Sequence, residues 1–235
     1  LYGEGQALQF WNIDNLQVYE NTLPACYQGI YIWGNSGTFA VPGGSLHDNS
    51  FSGNQQYNIN VDASATGGPI NAEQNYWGAV GCPPVSSTIQ GSVDFEPWCN
   101  SDFSYCGFVC EPLMVVWADD DWVGQIDGAN LGSGRFFNYN AFAFIPDAIT
   151  AVADNGTVNV MNGLYDLPLN IENRQDISIL GESQAGVVFR PTTTLPWNVA
   201  SYGSSRQAAV RVVNSTGIKF NAFTMDFDLI KGNNV

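Results

Sequence analysis

Carboxylates are the side chains whose spacing in this sequence comes closest to that of a chemical site. Asp119, Asp120 and Asp121 are consecutive, and Asp127 and Asn130 follow shortly afterwards. Hard oxygen ligands at such short spacing suit Ca²⁺, although the pattern is not that of an EF-hand loop. Ca²⁺ is therefore the one cofactor that the sequence suggests, and a solvated acidic segment is the competing interpretation.

The five cysteines are Cys26, Cys82, Cys99, Cys106 and Cys110. Metal binding is the weaker interpretation of this set, because only the last two have close ligand-like spacing and the single histidine is far away in sequence. We predict one disulfide between Cys99 and Cys106, which are seven residues apart, and a second between Cys82 and Cys110. Cys26 is then left over. Disulfides imply an oxidising compartment, so we expect an extracellular or cell-surface protein.

The charge and composition of the chain limit the kinds of partner that it can bind. The chain of 235 residues has seven Lys and Arg against 22 Asp and Glu, which gives a net charge of −15. Such a surface repels phosphate backbones and anionic lipids, and no apolar run approaches the roughly 18 residues of a membrane helix. We therefore expect neither nucleic-acid binding nor membrane insertion. Two glycosylation sequons, at Asn155 and Asn214, fit an extracellular location.

Internal repetition is the most informative feature of the sequence. An apolar-polar-apolar triplet is followed by Asn four residues after its start, and a second triplet begins eight residues after the first. The three copies start at Leu8, Leu169 and Val210, and their asparagines are Asn12, Asn173 and Asn214.

Each triplet has the alternation of a short strand with one buried face. Because asparagine tolerates left-handed backbone conformation, the three asparagines are predicted to occupy corners between strands. Equivalent corners stacked about 4.8 Å apart would also allow side-chain amides to form ladders. A parallel solenoid explains this spacing better than an antiparallel sandwich, which would need hairpin turn signals that are scarce here.

The segment from Ala141 to Tyr165 identifies a family resemblance. It contains Ala141-Phe-Ala-Phe-Ile-Pro-Asp-Ala-Ile149, then Gly156-Thr-Val-Asn-Val160 and Asn162-Gly-Leu-Tyr165. This resembles the opening of pectate-lyase-like right-handed β-helix domains of secreted bacterial surface proteins. In that superfamily a short amphipathic helix caps the first turn, and Pro146 suits the first turn of such a helix. The resemblance implies an all-β, right-handed parallel β-helix with a short N-terminal capping helix.

A closing motif precedes this opening motif. Asn71-Ala-Glu-Gln-Asn-Tyr-Trp-Gly78 and Val93-Asp-Phe-Glu-Pro-Trp-Cys99 resemble the last turn of the same kind of domain. The two halves thus stand in permuted order. We predict the C-terminal half of a β-helix at residues 1–99, an acidic, disulfide-bearing linker at 100–140, and a capping helix with the N-terminal half of a β-helix at 141–235.

Enzymes of the resembled superfamily need convergent carboxylates, or a carboxylate-bound Ca²⁺ with an Arg or Lys as base. Arg211 and Lys219 hold the middle, outward positions of their triplets, as solvated strand residues do. Asp226 and Asp228 alternate around Phe227 in the same way. No catalytic residue is therefore assigned, and a protein that is not an enzyme is favoured without being settled.

The leading hypothesis is a structural subunit, or one repeat of a tandem array, in an extracellular filament or surface fibre. Its partners would be copies of itself joined head-to-tail, with Val235 of one unit near Leu1 of the next. The alternative is a carbohydrate-binding or polysaccharide-degrading β-helix domain, which makes a glycan the second candidate partner. Aromatic side chains are candidates for a sugar-stacking strip, against the more common role of packing: Trp11, Tyr19, Tyr31, Trp33, Tyr57, Tyr76 and Trp77.

Overall fold

A computed structural model describes residues 5–13, 16–34, 45–65, 69–190, 198–201 and 204–226. The chain divides into two compact units. Unit 1 comprises Leu1–Glu111 with Asp127–Ala129, and unit 2 comprises Pro112–Ile126 with Asn130–Val235. Each unit is built mainly of short strands, so the predicted β-rich fold is confirmed.

The strands of unit 1 are two to six residues long. They are β1 (Gln6–Trp11), β2 (Gln17–Tyr19), β3 (Thr22–Pro24), β4 (Gln28–Trp33), β5 (Ser45–His47), β6 (Ser50–Ser52), β7 (Tyr57–Val61), β8 (Ile70–Asn71), β9 (Ile89–Gln90), β10 (Val93–Asp94), β11 (Trp98–Cys99) and β12 (Cys106–Phe108). The short helix α1 (Cys82–Ser86) lies between β8 and β9.

Parallel pairing organises these strands into three sheets. One has the order β1-β4-β7-β9, a second the order β10-β8-β5-β2, and a third joins β3 to β6. From β1 to β8, every third strand along the chain therefore belongs to the same sheet. The pairing places Leu8, Ile30, Ile59 and Ile89 opposite one another, which gives an aliphatic row across one sheet. The antiparallel pair β11–β12 follows the last parallel strands.

Unit 2 contains the remaining strands of the described chain. They are β13 (Leu113–Ala118), β14 (Ala141–Phe142), β15 (Val152–Val160), β16 (Gly163–Tyr165), β17 (Leu169–Glu172), β18 (Ser178–Gly181), β19 (Val187–Phe189), β20 (Asn198–Ser201), β21 (Ser204–Gln207), β22 (Val210–Val213), β23 (Lys219–Asn221) and β24 (Thr224–Met225). A 3₁₀ turn covers Asp120–Trp122, and the helix α2 covers Ile145–Ala151.

Three parallel sheets again form the body of unit 2. Their orders are β14-β13-β15-β18-β23, β16-β19-β24 and β17-β22, while β20 and β21 form an antiparallel hairpin. The row Val116, Val158, Ile179 and Phe220 crosses the largest sheet, and its first three members are fully buried. Burying one such aliphatic side chain stabilises the fold by about 2 kcal/mol, so the repeated rows supply much of the core.

The helix α2 lies where the sequence predicts a helix. It begins at Ile145 with Pro146 in its first turn, and it packs against β13, β14, β15 and β17. Ile145, Ala148 and Ile149 form its buried face. The helix ends at Ala151, and strand β15 starts at Val152.

The predicted linker at 100–140 is divided between the two units. Strand β13 carries the apolar run Leu113–Ala118 and pairs in parallel with β15, so it forms part of the sheet of unit 2. Residues 100–111 and 127–129 belong to unit 1. The sequence-based prediction missed this strand because the carboxylates that follow directly after it make the whole segment acidic.

Two of the three repeated triplets pair as neighbours. Leu169 lies opposite Val210 and Ile171 opposite Val212, in parallel. The third copy belongs to another sheet, where Leu8 lies opposite Ile30. Within the described chain, the Leu169 and Val210 triplets therefore share one sheet and the Leu8 triplet belongs to another. Asn12, Asn173 and Asn214 have φ values of 49°, 56° and 50°, in the left-handed region, at the corners that follow β1, β17 and β22.

Candidate functional site

The candidate site is a pair of surfaces at which stacked turns come to an end. We call β1–β3 the N-terminal rung and β22–β24 the C-terminal rung. In the described chain, β1 and β2 are the end strands of their sheets, and β3 has β6 as its strand partner. Likewise β22, β23 and β24 each stand at the end of a sheet. Each rung therefore presents three strand edges whose backbone N–H and C=O groups have no further strand beside them among the residues that the structure describes.

Inward-facing residues of β1, β22 and β24 are less buried than the residues opposite them, whereas Val18 of β2 and Leu23 of β3 are themselves buried. Ile30 and Ile32 of β4 are fully buried, whereas Leu8 and Phe10, opposite them in β1, are half-buried. The contrast is larger in the C-terminal rung, where Val212 is 43% exposed. Its partner Ile171 in the preceding turn is fully buried.

Met225 shows the same pattern in another sheet of unit 2. It is 42% exposed, and the residue opposite it, Phe189, is fully buried. Phe220 and Phe223 pack edge-to-face at 6.3 Å between ring centroids and are only partly buried. The C-terminal rung therefore exposes an apolar surface that another turn of strands would cover.

The opposite end of each unit is covered. In unit 1, the β11–β12 pair follows the last parallel strands and α1 directly precedes them, and Trp98 of β11 and Val85 of α1 are fully buried. In unit 2, α2 packs over the strands that begin the unit. Each unit thus has one covered end and, among the described residues, one rung whose strands stand at the ends of their sheets.

Both predicted disulfides are confirmed. Cys99 is bonded to Cys106 and Cys82 to Cys110, and Cys26 carries a free thiol. The second bond joins the start of α1 to the segment after β12. Both bonds therefore strengthen the covered end of unit 1, and they fit an extracellular or otherwise oxidising compartment.

A row of asparagines, of which Asn49 and Asn75 are buried and Asn21 is exposed, crosses unit 1 at the second corner of each turn. The Asn49 Oδ1 atom accepts from the Asn21 backbone N–H and from Asn21 Nδ2, both at 3.1 Å. The Asn75 Oδ1 atom accepts in the same way from the Asn49 N–H at 2.9 Å and from Asn49 Nδ2 at 3.0 Å. Asn49 and Asn75 are completely buried. We call Asn21, Asn49 and Asn75 the asparagine ladder.

Sequence reasoning placed the amide ladder at a different corner. It proposed ladders at the corners of Asn12, Asn173 and Asn214, whereas the ladder lies at the next corner of unit 1. The missed signal is that Asn21, Asn49 and Asn75 each stand two residues before an inward-facing Leu23, Phe51 or Trp77.

The acidic cluster Asp119–Asp121 lies in and just before the 3₁₀ turn. One carboxylate oxygen from each residue lies within 4.8 Å of the others. Desolvation raises the pKa of Asp119, and the neighbouring Asp121 and Asp120 charges add to this, while a hydrogen bond from the Asp121 N–H and the charge of Arg135 oppose it. The cluster has the oxygen ligands that Ca²⁺ requires.

Part of this cluster already has a structural role. Asp119 Oδ1 accepts from the Asp121 N–H at 3.1 Å, and Asp120 Oδ2 accepts from the Leu164 N–H at 3.1 Å. A β-carbon at Gly163 would overlap Asp120 Oδ1, so the turn and β16 fit together only with glycine there. These hydrogen bonds give Asp119 and Asp120 a role in stabilising the local structure. Ca²⁺ binding stays a prediction.

Two of the charged side chains considered for catalysis, Arg211 and Asp226, are engaged in pairs, and Lys219 is exposed on β23. Arg211 donates to Asn170 Oδ1 at 2.9 Å and to Glu172 Oε2 at 3.2 Å. Asp226 forms an ion pair with Arg190 at 2.7 Å, and Asp228 lies outside the described residues. Pairs between neighbouring strands account for these groups as parts of the outer sheet surfaces.

The aromatic residues divide into packing and surface groups. Trp77 is buried and stacks on Phe51 with 4.8 Å between ring centroids. On the surface, Trp11 stacks on Trp33 at 5.2 Å, and Trp33 in turn lies 6.5 Å from Tyr31. We call Trp11, Tyr31 and Trp33 the aromatic strip. Desolvation, followed by the charge and hydrogen bond of Asp62, raises the pKa of the Tyr31 phenol.

The remaining aromatic candidates lie outside this strip. Tyr19 is exposed and stacks on His47 at 5.4 Å. Tyr57 and Tyr76 are half-buried, and desolvation followed by the charge of Asp127 raises the pKa of the Tyr76 phenol. The predicted set of seven aromatic residues is therefore not one continuous surface.

Both sequon asparagines are exposed. Asn155 lies in β15 with a φ of 65°, and Asn214 lies at the corner after β22 with a φ of 50°. Their exposure is the condition that glycosylation requires, and modification itself stays a prediction.

Comparison with known proteins identifies no relative of this chain. No protein-family description, curated protein or solved structure matches the chain. In the described residues, no helix is long and apolar enough to cross a bilayer. Function must therefore be argued from the rungs and their side chains.

Proposed function

We propose that the two units are the closing and opening parts of right-handed parallel β-helices of the pectate-lyase-like type, in permuted order. The support is the repeated return of strands to three parallel sheets in each unit. Connections between parallel strands of one sheet are right-handed in about 98% of cases. The cap of unit 1 after its last parallel strands and the helix α2 near the start of unit 2 agree with this order.

The proposed function is that of a structural subunit of an extracellular filament or surface fibre, assembled head-to-tail. The observation that carries it is the contrast between the covered end and the open rung of each unit. The C-terminal rung exposes Val212 and Met225 where the preceding turn is buried. An interface between two different surfaces of the same molecule propagates without closing, and such an interface builds a fibre.

The charged groups favour this function over an enzyme. Arg211 and Asp226, the charged residues nearest to a catalytic pattern, are paired with neighbours across strands. A hydrolase would need two carboxylates free to meet a sugar on one face. The ion pairs instead stabilise the outer surface of a stack.

Substitution of one exposed valine tests the assembly. Val212→Asp would place a carboxylate between stacked turns, where an uncompensated charge costs at least about 3 kcal/mol. We expect the concentration needed for assembly to rise about a hundredfold. The measurements are light scattering against concentration and electron microscopy of the oxidised, full chain.

Val115→Asp is the matched control. Val115 is also a strand valine that is 43% exposed, but it lies in β13, away from the open rung. Unchanged assembly of this variant would show that the effect at Val212 comes from its position. If the unsubstituted chain stays monomeric at every concentration, or if both variants assemble normally, the proposed function is wrong.

Binding of a neutral glycan is the second candidate function, and the aromatic strip favours it. Trp11 is 55% exposed and lies beside Trp33 on the outer face of β1 and β4. The net charge of −15 argues against an acidic polysaccharide as the ligand. Titration with neutral oligosaccharides should shift tryptophan fluorescence in the unsubstituted chain and not in Trp11→Ala. Tyr19→Ala, at an exposed ring outside the strip, is the control.

A further inference from the structure

The strands of the two open rungs have the same spacing along the chain. In the N-terminal rung, Leu8, Gln17 and Thr22 each pair with the following turn. In the C-terminal rung, the residues that pair with the preceding turn include Val210, Lys219 and Thr224. Leu8 to Gln17 and Val210 to Lys219 both span nine residues, and both next steps span five.

The corners of the two rungs also match. Asn12 and Asn214 stand four residues after Leu8 and Val210, with φ values of 49° and 50°. Glu20 and Ala222 stand twelve residues after the same starting points, with φ values of 58° and 62°. A non-glycine residue seldom adopts this left-handed conformation, so two coincidences at equal spacing indicate equivalent backbone paths.

The inward-facing residues agree in the same alignment. Leu8 and Phe10 correspond to Val210 and Val212, which pair with the inward-facing Leu169 and Ile171. Val18 corresponds to Phe220, and Leu23 to Met225. Because a slip of one residue would turn every side chain to the other face, agreement in all three strands selects one register.

No other described turn has both spacings, although Leu169 and Ser178 are also nine residues apart and Ser45 and Ser50 are also five residues apart. The second turn of unit 1 separates Ile30 from Ser45 by 15 residues, where the N-terminal rung has nine. The preceding turn of unit 2 separates Ser178 from Val188 by ten residues, where the C-terminal rung has five. The match is therefore specific to the two rungs that lack a neighbour.

We propose that the C-terminal rung of one copy pairs in parallel with the N-terminal rung of a second copy. The register places Val210 opposite Leu8, Lys219 opposite Gln17, and Thr224 opposite Thr22. This inference rests on the proposed head-to-tail assembly and adds the residues that meet. In this register Val212 packs over Phe10 and Met225 over Leu23, so the apolar surface of one rung is covered by the other.

Cysteine cross-linking between two chains tests the register. All chains carry Cys26→Ser, one carries Gln17→Cys, and the other carries Lys219→Cys. Neighbouring parallel strands hold opposite Cα atoms about 4.8 Å apart, within the reach of a disulfide. After mild oxidation of the mixture, non-reducing electrophoresis should show a shift from the mass of one chain to that of two chains.

An off-register pair is the matched control. Asn221→Cys mixed with Gln17→Cys places the thiols two residues out of register, with Cα atoms about 8 Å apart, beyond disulfide reach. Gln17, Lys219 and Asn221 are all exposed, so no substitution removes a packed side chain. The off-register mixture should stay at the mass of one chain.

The outcomes separate the register from the assembly itself. If the unsubstituted chain forms filaments but the Asn221 mixture cross-links and the Lys219 mixture does not, the register is wrong and the proposed function stands. If the unsubstituted chain never assembles, both are wrong. If a chain carrying both Gln17→Cys and Lys219→Cys cross-links only within itself, the partner is not a second copy, and the inference fails.

Discussion

Replacing Asn49 with alanine should destabilise unit 1 far more than a typical surface substitution. The Asn49 side chain is completely buried, and its Nδ2 donates to Val18 O at 2.8 Å, to His47 O at 3.0 Å and to Asn75 Oδ1. Its Oδ1 accepts twice from Asn21. Alanine removes all of these bonds at once.

The magnitude follows from the groups that lose a partner. The Asn21 N–H loses this acceptor, and the carbonyls of Val18 and His47 lose a donor. A buried polar group left without its bond costs about 1–3 kcal/mol. Since some of these groups retain contact with water or with neighbouring strands, we expect a loss of about 3 kcal/mol in the free energy of unfolding.

Urea unfolding with the disulfides intact measures this loss by linear extrapolation. Asn71→Ala is the control, because Asn71 is an exposed asparagine of the same unit with one 3.3 Å bond to the Glu73 N–H. It should cost less than about 0.5 kcal/mol. If Asn49→Ala costs no more than the control, the asparagine ladder does not stabilise unit 1 and the reasoning is refuted.

Three further changes test other contacts, two by the same unfolding measurement and one by ultraviolet titration. Arg174→Met should cost about 2 kcal/mol, because Arg174 donates to Ile149 O at 2.6 Å, to Asp154 Oδ1 at 3.0 Å and to a further carbonyl. This arginine holds the pKa of Asp154 below its usual value, so the contribution of Asp154 should fade as the pH falls through that lowered pKa, and equal acid sensitivity in Arg174→Met would contradict this. Burial raises the pKa of the Tyr165 phenol, whose OH donates to the Met161 carbonyl at 2.8 Å, so an ultraviolet titration should show no Tyr165 phenolate at roughly pH 10. A difference spectrum against Tyr165→Phe that shows ionisation there would overturn this expectation. Replacing Cys82 and Cys110 by serine should cost about 3.5 kcal/mol from the 28-residue separation, and a cost below that of the shorter, seven-residue disulfide loop would contradict the chain-entropy argument.

Most of the correct predictions about the fold rest on short-range sequence patterns. The alternation in the Leu169 and Val210 triplets predicted strands, and their spacing predicted parallel pairing, because the same offset recurs. Pro146 and the apolar face of the following residues were enough to place α2. The disulfides were predicted correctly because four of the cysteines are close in sequence.

Features that depend on long-range packing were missed. Strand β13 was taken for linker because its neighbours Asp119–Asp121 dominate the local composition, whereas its apolar run pairs with β15. The asparagine ladder was placed at the wrong corner because turns in unit 1 differ in length, so Asn21, Asn49 and Asn75 have unequal separations. Only the stacked sheets reveal that the three residues are neighbours.

An exposed strand edge is also a liability, since it accepts any extended segment, and this protein must limit the partners it accepts. In the assembly proposed above, its two open rungs would do so by requiring agreement in three strands and two left-handed corners at once. A random strand can satisfy one edge, but it leaves Val212 and Met225 of the C-terminal rung exposed in their separate sheets. The net charge of −15 adds repulsion that a poorly matched contact cannot overcome. Selectivity for the matching rung then follows from requiring all of the contacts together, because the apolar burial that offsets the repulsion is complete only in one register.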